Sequence, residues 1–242
     1  MIKLSIILPV YNEKPTISKL LEQVFNSDVG KLKKEIIIVE GNSTDGTRDV
    51  VKKYENRKDV KVIYEKKPEG KGAAIRKALG HVTGDIILIQ DGDLEYKTTE
   101  YKNVLAPIIK QNVPIVYGSR RLTHPRFWQY RNVAGRNIYL FFLNLGGAFY
   151  TTLFNILYGT KFTDVATMFK VFRADVLKSV KFKTNGFDTE WEITAKLAKK
   201  GYKFYEVPVS YQSRLPEQGK KIKFFRDGFK VMFAIIRFRF CD

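Results

Sequence analysis

The sequence predicts an α/β protein built on a parallel, doubly wound sheet. Three observations predict it. Four short, mostly apolar runs, at residues 4–10, 35–39, 60–64 and 86–89, have the length and hydrophobicity of buried parallel strands. Helical patterns separate these runs, which is the alternation of a parallel sheet. The fourth run ends in Asp91-Gly92-Asp93, two carboxylates around a glycine. Open α/β sheets bind their ligands outside the carboxyl ends of such strands.

Each element follows in order. Residues 1–10 are too short an apolar stretch for a signal peptide and lead into polar residues, so they read as the first strand. Residues 15–25 carry Ile17, Leu20, Leu21, Val24 and Phe25 at helical spacing. The turn at 42–46 offers Ser43, Thr44 and Asp45 to cap a helix over 47–54. Residues 72–79 form a short, Ala-rich helix. Residues 113–117 are another strand, followed by the basic loop 118–121. Residues 137–158 are apolar and aromatic, and long enough to span a bilayer on length alone. Asn137, Asn144, Asn155, two threonines and a Gly-Gly pair argue instead for one or two helices that are buried or lie at an interface. Asp188 and Glu190 precede a helix over 193–199. They serve either as first-turn acids or as a general base for a hydroxyl acceptor. Residues 220–240 mix lysines and arginines with Phe, Ile, Val and Met. That composition reads as an amphipathic helix on a membrane surface, or as a packed helix with a solvated basic face. No internal repeat or low-complexity linker interrupts the chain.

A length of 242 residues fits one large α/β domain or two small ones, and 44% hydrophobic content builds a core. Lysine and arginine number 43 against 25 acids, a net charge of +18, so the partner is expected to be anionic. The single cysteine, Cys241, excludes an intrachain disulfide and a Cys-based zinc site, and fits a reducing compartment. The two histidines, His81 and His124, are few for a metallohydrolase. A nucleic-acid-binding module is disfavoured. No RNP, KH or helix-turn-helix pattern is present.

Asp91, Asp93 and Glu95 alternate along the chain. In extended geometry they point to one face and can share a hard divalent cation, Mg²⁺ or Mn²⁺, while Leu94 points into the core. The plainer reading is an acidic turn after a strand.

Four motifs occur in order: ILPVYNE at 7–13, IVEGNSTDGT at 38–47, GKGAA at 70–74 and DGDLE at 91–95. Together they resemble the family 2 glycosyltransferases with a GT-A fold, the Rossmann-like nucleotide-diphospho-sugar transferases, over nearly the whole chain. Later segments narrow the resemblance. YGSR at 117–120, TDVATMFKVFR at 163–173, EVPVSY at 206–211, GKKI at 219–222 and Asp227-Gly228 are similar to the polyprenyl-phosphate sugar synthases, including dolichyl-phosphate mannose and glucose synthases.

The resemblance implies roles. Pro9, Tyr11, Glu13, Val39 and Glu40 would form the nucleotide pocket, with Lys71, Asp91, Gly92, Lys220 and Lys221 beside the donor. Tyr11 is alternatively a strand-end packing residue. Asp91, Asp93 and Glu95 would hold the metal. Arg120 and Arg136 would bind the acceptor phosphate, with Arg121 and Arg131 as further candidates or plain surface charges. Arg214, Lys220 and Lys221 would stabilise the leaving diphosphate from a loop broken by Pro216, Gln218 and Gly219. Many relatives have a second acid after Glu40; here Gly41 stands there, which leaves the donor base open.

The implied activity is inverting transfer of a hexose from GDP-mannose or UDP-glucose to a polyprenyl phosphate lipid. It would act peripherally at the cytoplasmic face of a membrane, with no nucleic acid involved. The alternative is transfer to a sugar hydroxyl in glycan assembly. Residues 1–219 are expected to be the catalytic domain, with 137–159 as its apolar acceptor- or membrane-facing segment. Residues 220–242 would be the basic helix. A partner protein could supply a membrane anchor.

Overall fold

A computed structural model describes residues 2–124, 137–214, 219 and 224–241. The first half alternates strand and helix: β1 Lys3–Val10, α1 Lys14–Asn26, β2 Lys33–Glu40, α2 Thr47–Lys52, β3 Val60–Tyr64, α3 Lys71–Leu79 and β4 Ile86–Ile89. The second half holds α4 Tyr101–Gln111, β5 Ile115–Ser119, α5 Asn137–Tyr158, β6 Lys170–Arg173, α6 Ala174–Lys178, α7 Thr189–Lys199, β7 Phe204–Pro208 and α8 Phe224–Phe240.

The strands form one sheet in the order β3-β2-β1-β4-β6-β5-β7. All neighbours pair in parallel except β6, which runs antiparallel to both β4 and β5. Chain order reverses between β1 and β4, the crevice where such sheets bind ligands.

The strand residues alternate between two cores. Leu4, Ile6 and Leu8 face α1, α2 and α4, while Ile7 faces the layer built from α3, α5, α6, α7 and α8. Both faces are therefore covered, as a parallel sheet requires.

Local chemistry places the loops at the crevice. The 42–47 loop clasps the 11–14 loop. Asn12 N–H donates to Ser43 Oγ at 2.9 Å, Thr44 N–H to Asn12 Oδ1 at 2.9 Å, Glu13 N–H to Thr47 Oγ1 at 2.9 Å and Lys14 N–H to Asp45 Oδ2 at 3.0 Å. The short polar side chains of that motif thus supply acceptors for the open N-terminus of α1. Glycines let α3 approach the 184–189 segment. A Cβ at Gly72 would stand 2.0 Å from Thr189 Oγ1. One at Gly70, whose φ is +96°, would stand 2.3 Å from Asn185 O.

One expectation changes, and one left open between alternatives is narrowed. The 91–95 segment bends rather than extends, because Asp93 Oδ1 accepts the Glu95 N–H at 3.0 Å. Leu94 is only partly buried, against the α1/α4 core. Residues 137–158 form one unbroken helix, so the Gly-Gly pair does not split it.

Candidate active site

The carboxyl ends of β1 and β4 bring Glu13, Asp93 and Glu95 together, each at most 9% exposed. Three clustered acids repel one another, and among the described residues Arg214 answers them. Arg214 Nη1 lies 2.9 Å from Glu13 Oε2, its Nη2 2.6 Å from Asp93 Oδ2 and its Nε 3.5 Å from Glu95 Oε1. Arg214 N–H also donates to Glu95 Oε1 at 2.8 Å, and Tyr211 O–H donates to Glu95 Oε2 at 2.6 Å. The guanidinium fork suits this work, since it meets several carboxylates in fixed directions. Burial, with Asp91 and Glu95 nearby, still pushes the Asp93 carboxyl up to about 7 against the pull of Arg214.

A second charged chain runs beneath. Lys71 pairs with Asp91 and, at 3.2 Å, with Glu190; Lys170 pairs with Glu190 at 3.1 Å. Burial alone would discharge Lys71, but Asp91 and Glu190 outweigh it and hold its pKa above the ordinary value. Burial alone would raise Glu190, but Lys170 and Lys71 outweigh it and hold its carboxyl low. An anion locked between two lysines is a poor general base, so the hydroxyl-acceptor role offered for Glu190 loses its support. Asp188 lies at the start of α7, where its Oδ1 accepts the Gly186 N–H at 3.1 Å.

Other expected site residues fall elsewhere. Val39 is fully buried in the core and paired on both sides in the sheet, so it presents no side chain to a nucleotide. The Glu40 carboxylate is also fully buried. It accepts from Ser43 N–H at 2.7 Å and Arg48 Nε at 2.6 Å, turned toward its own loop rather than toward a ribose. Glu13, expected at the ribose, stands in the acid cluster. Pro9 is partly buried beside the β1/β4 crevice. Tyr11 is exposed, and a Cβ on Gly41 would stand 3.3 Å from Tyr11 Cβ. The missing second acid thus makes room for this ring. Gly92 packs under Pro9 and Glu13, and its carbonyl accepts from Thr16 Oγ1 at 3.2 Å.

Arg120 is 2% exposed. Its fork grips Asp164 at 2.6 and 2.8 Å, so its charge is already matched inside the protein rather than held out to a ligand. Arg131, Arg136, Pro216, Gln218, Lys220 and Lys221 lie outside the described residues.

Tyr211, Asp164 and Lys170 were not singled out from the sequence. The TDVATMFK and EVPVSY motifs that contain them were the available signal.

As a donor set, Asp93 and Glu95 offer oxygen ligands only, the type that Mg²⁺ and Mn²⁺ take together with substrate phosphates. Among the described residues no group of three His, Cys, Asp or Glu side chains is arranged to hold an ion unaided. This oxygen-rich cluster, with the Asp93 carboxyl pushed up by burial and its acidic neighbours, nonetheless fits a cation completed by a phosphate-bearing ligand.

The chain is similar to known proteins. The description Glycosyl transferase family 2 matches residues 5–181. An uncharacterised protein of Methanocaldococcus jannaschii is 31% identical over 85% of this chain and 86% of its own length. The dolichol-phosphate mannosyltransferase of Pyrococcus furiosus is 31% identical over 49% of this chain, which spans 33% of that protein. Glucosyl-3-phosphoglycerate synthase of Mycobacterium tuberculosis, solved with Mn²⁺, UDP and phosphoglyceric acid, superposes with a TM-score of 0.71. It covers all of this chain and 80% of its own, at 15% identity, and so shows the shared GT-A-like fold. With the family description spanning most of the sheet and both loops that build the acid cluster, the chain belongs to glycosyl transferase family 2 and is a glycosyltransferase.

Proposed function

We propose that the chain transfers a hexose, mannose or glucose, from GDP-mannose or UDP-glucose to a polyprenyl phosphate of dolichyl type, peripherally, at the cytoplasmic face of a membrane. One observation carries this reading: two helices beside the site present apolar faces outward. On α8, Phe229, Phe233, Ile236 and Phe240 recur at helical spacing and are exposed, Phe240 by 72%. Arg226, Lys230 and Arg237 flank that stripe and are exposed. Val231, Ala234, Ile235 and Phe238 on the other side are buried with α7, so α8 is also part of the catalytic core. On α5, Phe142, Leu145, Phe149 and Ile156 form a similar exposed stripe. By length and composition Leu140–Tyr158 could cross a membrane. Its packing on α7 and α8 and its buried Asn144 and Thr151 favour lying at the surface instead. Each basic residue near an anionic bilayer contributes about 1 kcal/mol, and the aromatic stripe adds a salt-insensitive part.

The chemistry follows from the site. A phosphate acceptor is already an anion near neutral pH and needs no strong base, in keeping with a Glu190 held between lysines. Asp93 and Glu95 would hold Mg²⁺ or Mn²⁺, which supplies Lewis-acid stabilisation of a diphosphate leaving group. The Arg214 guanidinium, beside the same carboxylates, is placed to stabilise charge developing on that diphosphate. Tyr211 and the Arg214 backbone hold Glu95 in position. The relative named as a dolichol-phosphate mannosyltransferase, and the phosphate-bearing ligand of the structural neighbour, support this substrate class.

The test offers each nucleotide sugar with polyprenyl phosphate, with polyprenol and with a sugar acceptor, and identifies products by mass spectrometry. A hexosyl-phosphoryl-polyprenol is expected, and none from the alcohol. Transfer to the sugar acceptor alone would overturn the proposal in favour of glycan assembly.

A further inference from the structure

Asp93 and Glu95 have four carboxylate oxygens between them, and each of the four already accepts a hydrogen bond inside the protein. Asp93 Oδ1 accepts the Glu95 N–H at 3.0 Å, and its Oδ2 accepts from Arg214 Nη2 at 2.6 Å. Glu95 Oε1 accepts the Arg214 N–H at 2.8 Å and stands 3.5 Å from Arg214 Nε, while Oε2 accepts from Tyr211 O–H at 2.6 Å. A hard dication takes carboxylate oxygens at about 2.0–2.6 Å. The Arg214 guanidinium rests on one oxygen of each residue, so it would face that dication as a second positive charge at close range. Like charges repel strongly where water is largely excluded.

The four oxygens differ in which donor can let go. The Glu95 N–H belongs to the turn that holds the two acids. The Arg214 N–H is backbone as well, and its segment is tied down: Gln212 N–H donates to Glu95 O at 2.9 Å, and Tyr211 forms a β-bridge with Tyr96. The Tyr211 ring packs on Tyr96 with centroids 5.0 Å apart and lies 4.9 Å from the Arg120 guanidinium. The Arg214 guanidinium instead ends a long, rotatable side chain. That side chain is 17% exposed, against 7% for Glu13 and 11% for Asp93 and Glu95. It can swing away without breaking a backbone hydrogen bond.

A departing guanidinium needs a new anion. Among the described residues its ion-pair partners are the carboxylates of Glu13, Asp93 and Glu95. A diphosphate offers oxygens that the same fork can meet in pairs. With a diphosphate present, Arg214 can give up Asp93 and Glu95 and take the diphosphate. With the metal ion alone, it has no such exchange to make.

We infer, on the reading that Asp93 and Glu95 hold the cation, that Arg214 competes with the divalent metal for these two carboxylates. The site therefore takes a metal ion well only together with a diphosphate, which receives the displaced guanidinium. The test uses the full chain as wild type, Arg214→Gln, Arg214→Lys and Asp93→Asn. Electron paramagnetic resonance follows Mn²⁺ added alone, and calorimetry follows UDP with and without saturating Mn²⁺. Wild type should bind UDP at least about tenfold more tightly with Mn²⁺ than without. In Arg214→Gln, Mn²⁺ alone should bind about tenfold more tightly than in wild type, while UDP with Mn²⁺ binds about tenfold more weakly. A merely structural arginine would not give these opposite signs, because loosening the site weakens both. Arg214→Lys keeps a positive charge but cannot span three carboxylates. Its affinity for Mn²⁺ alone should lie between the other two, and it remains informative if Arg214→Gln fails to fold. Unchanged or weaker binding of Mn²⁺ alone in the Arg214 variants overturns the competition, and UDP binding to wild type that ignores Mn²⁺ overturns the exchange. Asp93→Asn binding Mn²⁺ as tightly as wild type would instead sink the reading of the cation site. If Asp93→Asn loses Mn²⁺ while the Arg214 variants gain nothing, the cation site stands and the competition falls.

Discussion

Two charged clusters lie side by side and handle burial differently. Glu13, Asp93 and Glu95 share one arginine from a loop, and Asp93 remains pushed up to about 7. Asp91, Lys71, Glu190 and Lys170 alternate in sign, and the carboxylate at their centre is held low. In the first, burial and its acidic neighbours win at Asp93. In the second, burial still raises Asp91 and lowers Lys170, but Lys170 and Lys71 win at Glu190, and the chain of charges ties β6, α3 and α7 together. A carboxyl left raised among acids marks the candidate site, and one held low between two lysines marks the scaffold.

The sharpest way to break this comparison is Asp93→Ala. Turnover should fall on the order of a thousandfold with Mn²⁺ or Mg²⁺ present, while the melting curve stays cooperative and near wild type. Metal-independent, near-normal turnover would falsify the assignment. Next, Arg214→Ala should lower turnover about a hundredfold, and added Mn²⁺ should recover much of any lost melting temperature. A large stability loss insensitive to metal would make Arg214 part of the scaffold instead. Glu190→Gln should do the opposite, costing about 3–5 kcal/mol in denaturant unfolding because two lysines are left buried without their anion. A stable Glu190→Gln chain that has lost only activity would erase the distinction between the clusters.

A pH series sharpens it further. Asp93 titrates at about 7 in the fold against an ordinary 3.8, so between about pH 4 and 7 the folded chain holds a proton that the unfolded chain releases. This group's contribution to stability therefore falls as pH rises through that window. In the metal-free protein, Asp93→Asn should melt like wild type near pH 4 and increasingly above it toward pH 7.5. A constant difference across the range would count against the shifted pKa. The smallest effect concerns the surface. Phe229→Ser with Phe233→Ser should weaken sedimentation with anionic liposomes at high salt, where the charge term is screened, and leave turnover on a short, water-soluble acceptor unchanged.

The strands at 60–64 and 86–89 were legible to the residue because they are short apolar runs between polar turns. β6 was not, since a fully buried lysine, Lys170, opens it, made tolerable by Glu190 and by the Val165 and Thr167 carbonyls that accept from its ammonium. Helix α4 was missed because Pro107 lies within it and argues locally against a helix. In the site, the acids and Arg214 were legible as residue types, but their meeting was not. No sequence pattern reports that a side chain 121 residues away will lie 2.6 Å from Asp93. The burial of Val39 and Glu40 was not legible either, because a strand-end motif does not say which way its side chains turn.

The Arg214–Glu13 contact spans 201 positions of the chain. Strands β1, β2 and β3 can pair from nearby sequence, but the acid cluster gains the Arg214 guanidinium only when a segment near the far end has docked. Long-range closure of this kind comes late in assembly. Until then the carboxylates stand together without Arg214, and a partly folded chain lacks a group placed to hold a donor. Competence to bind substrate thereby reports that the whole chain has reached its place.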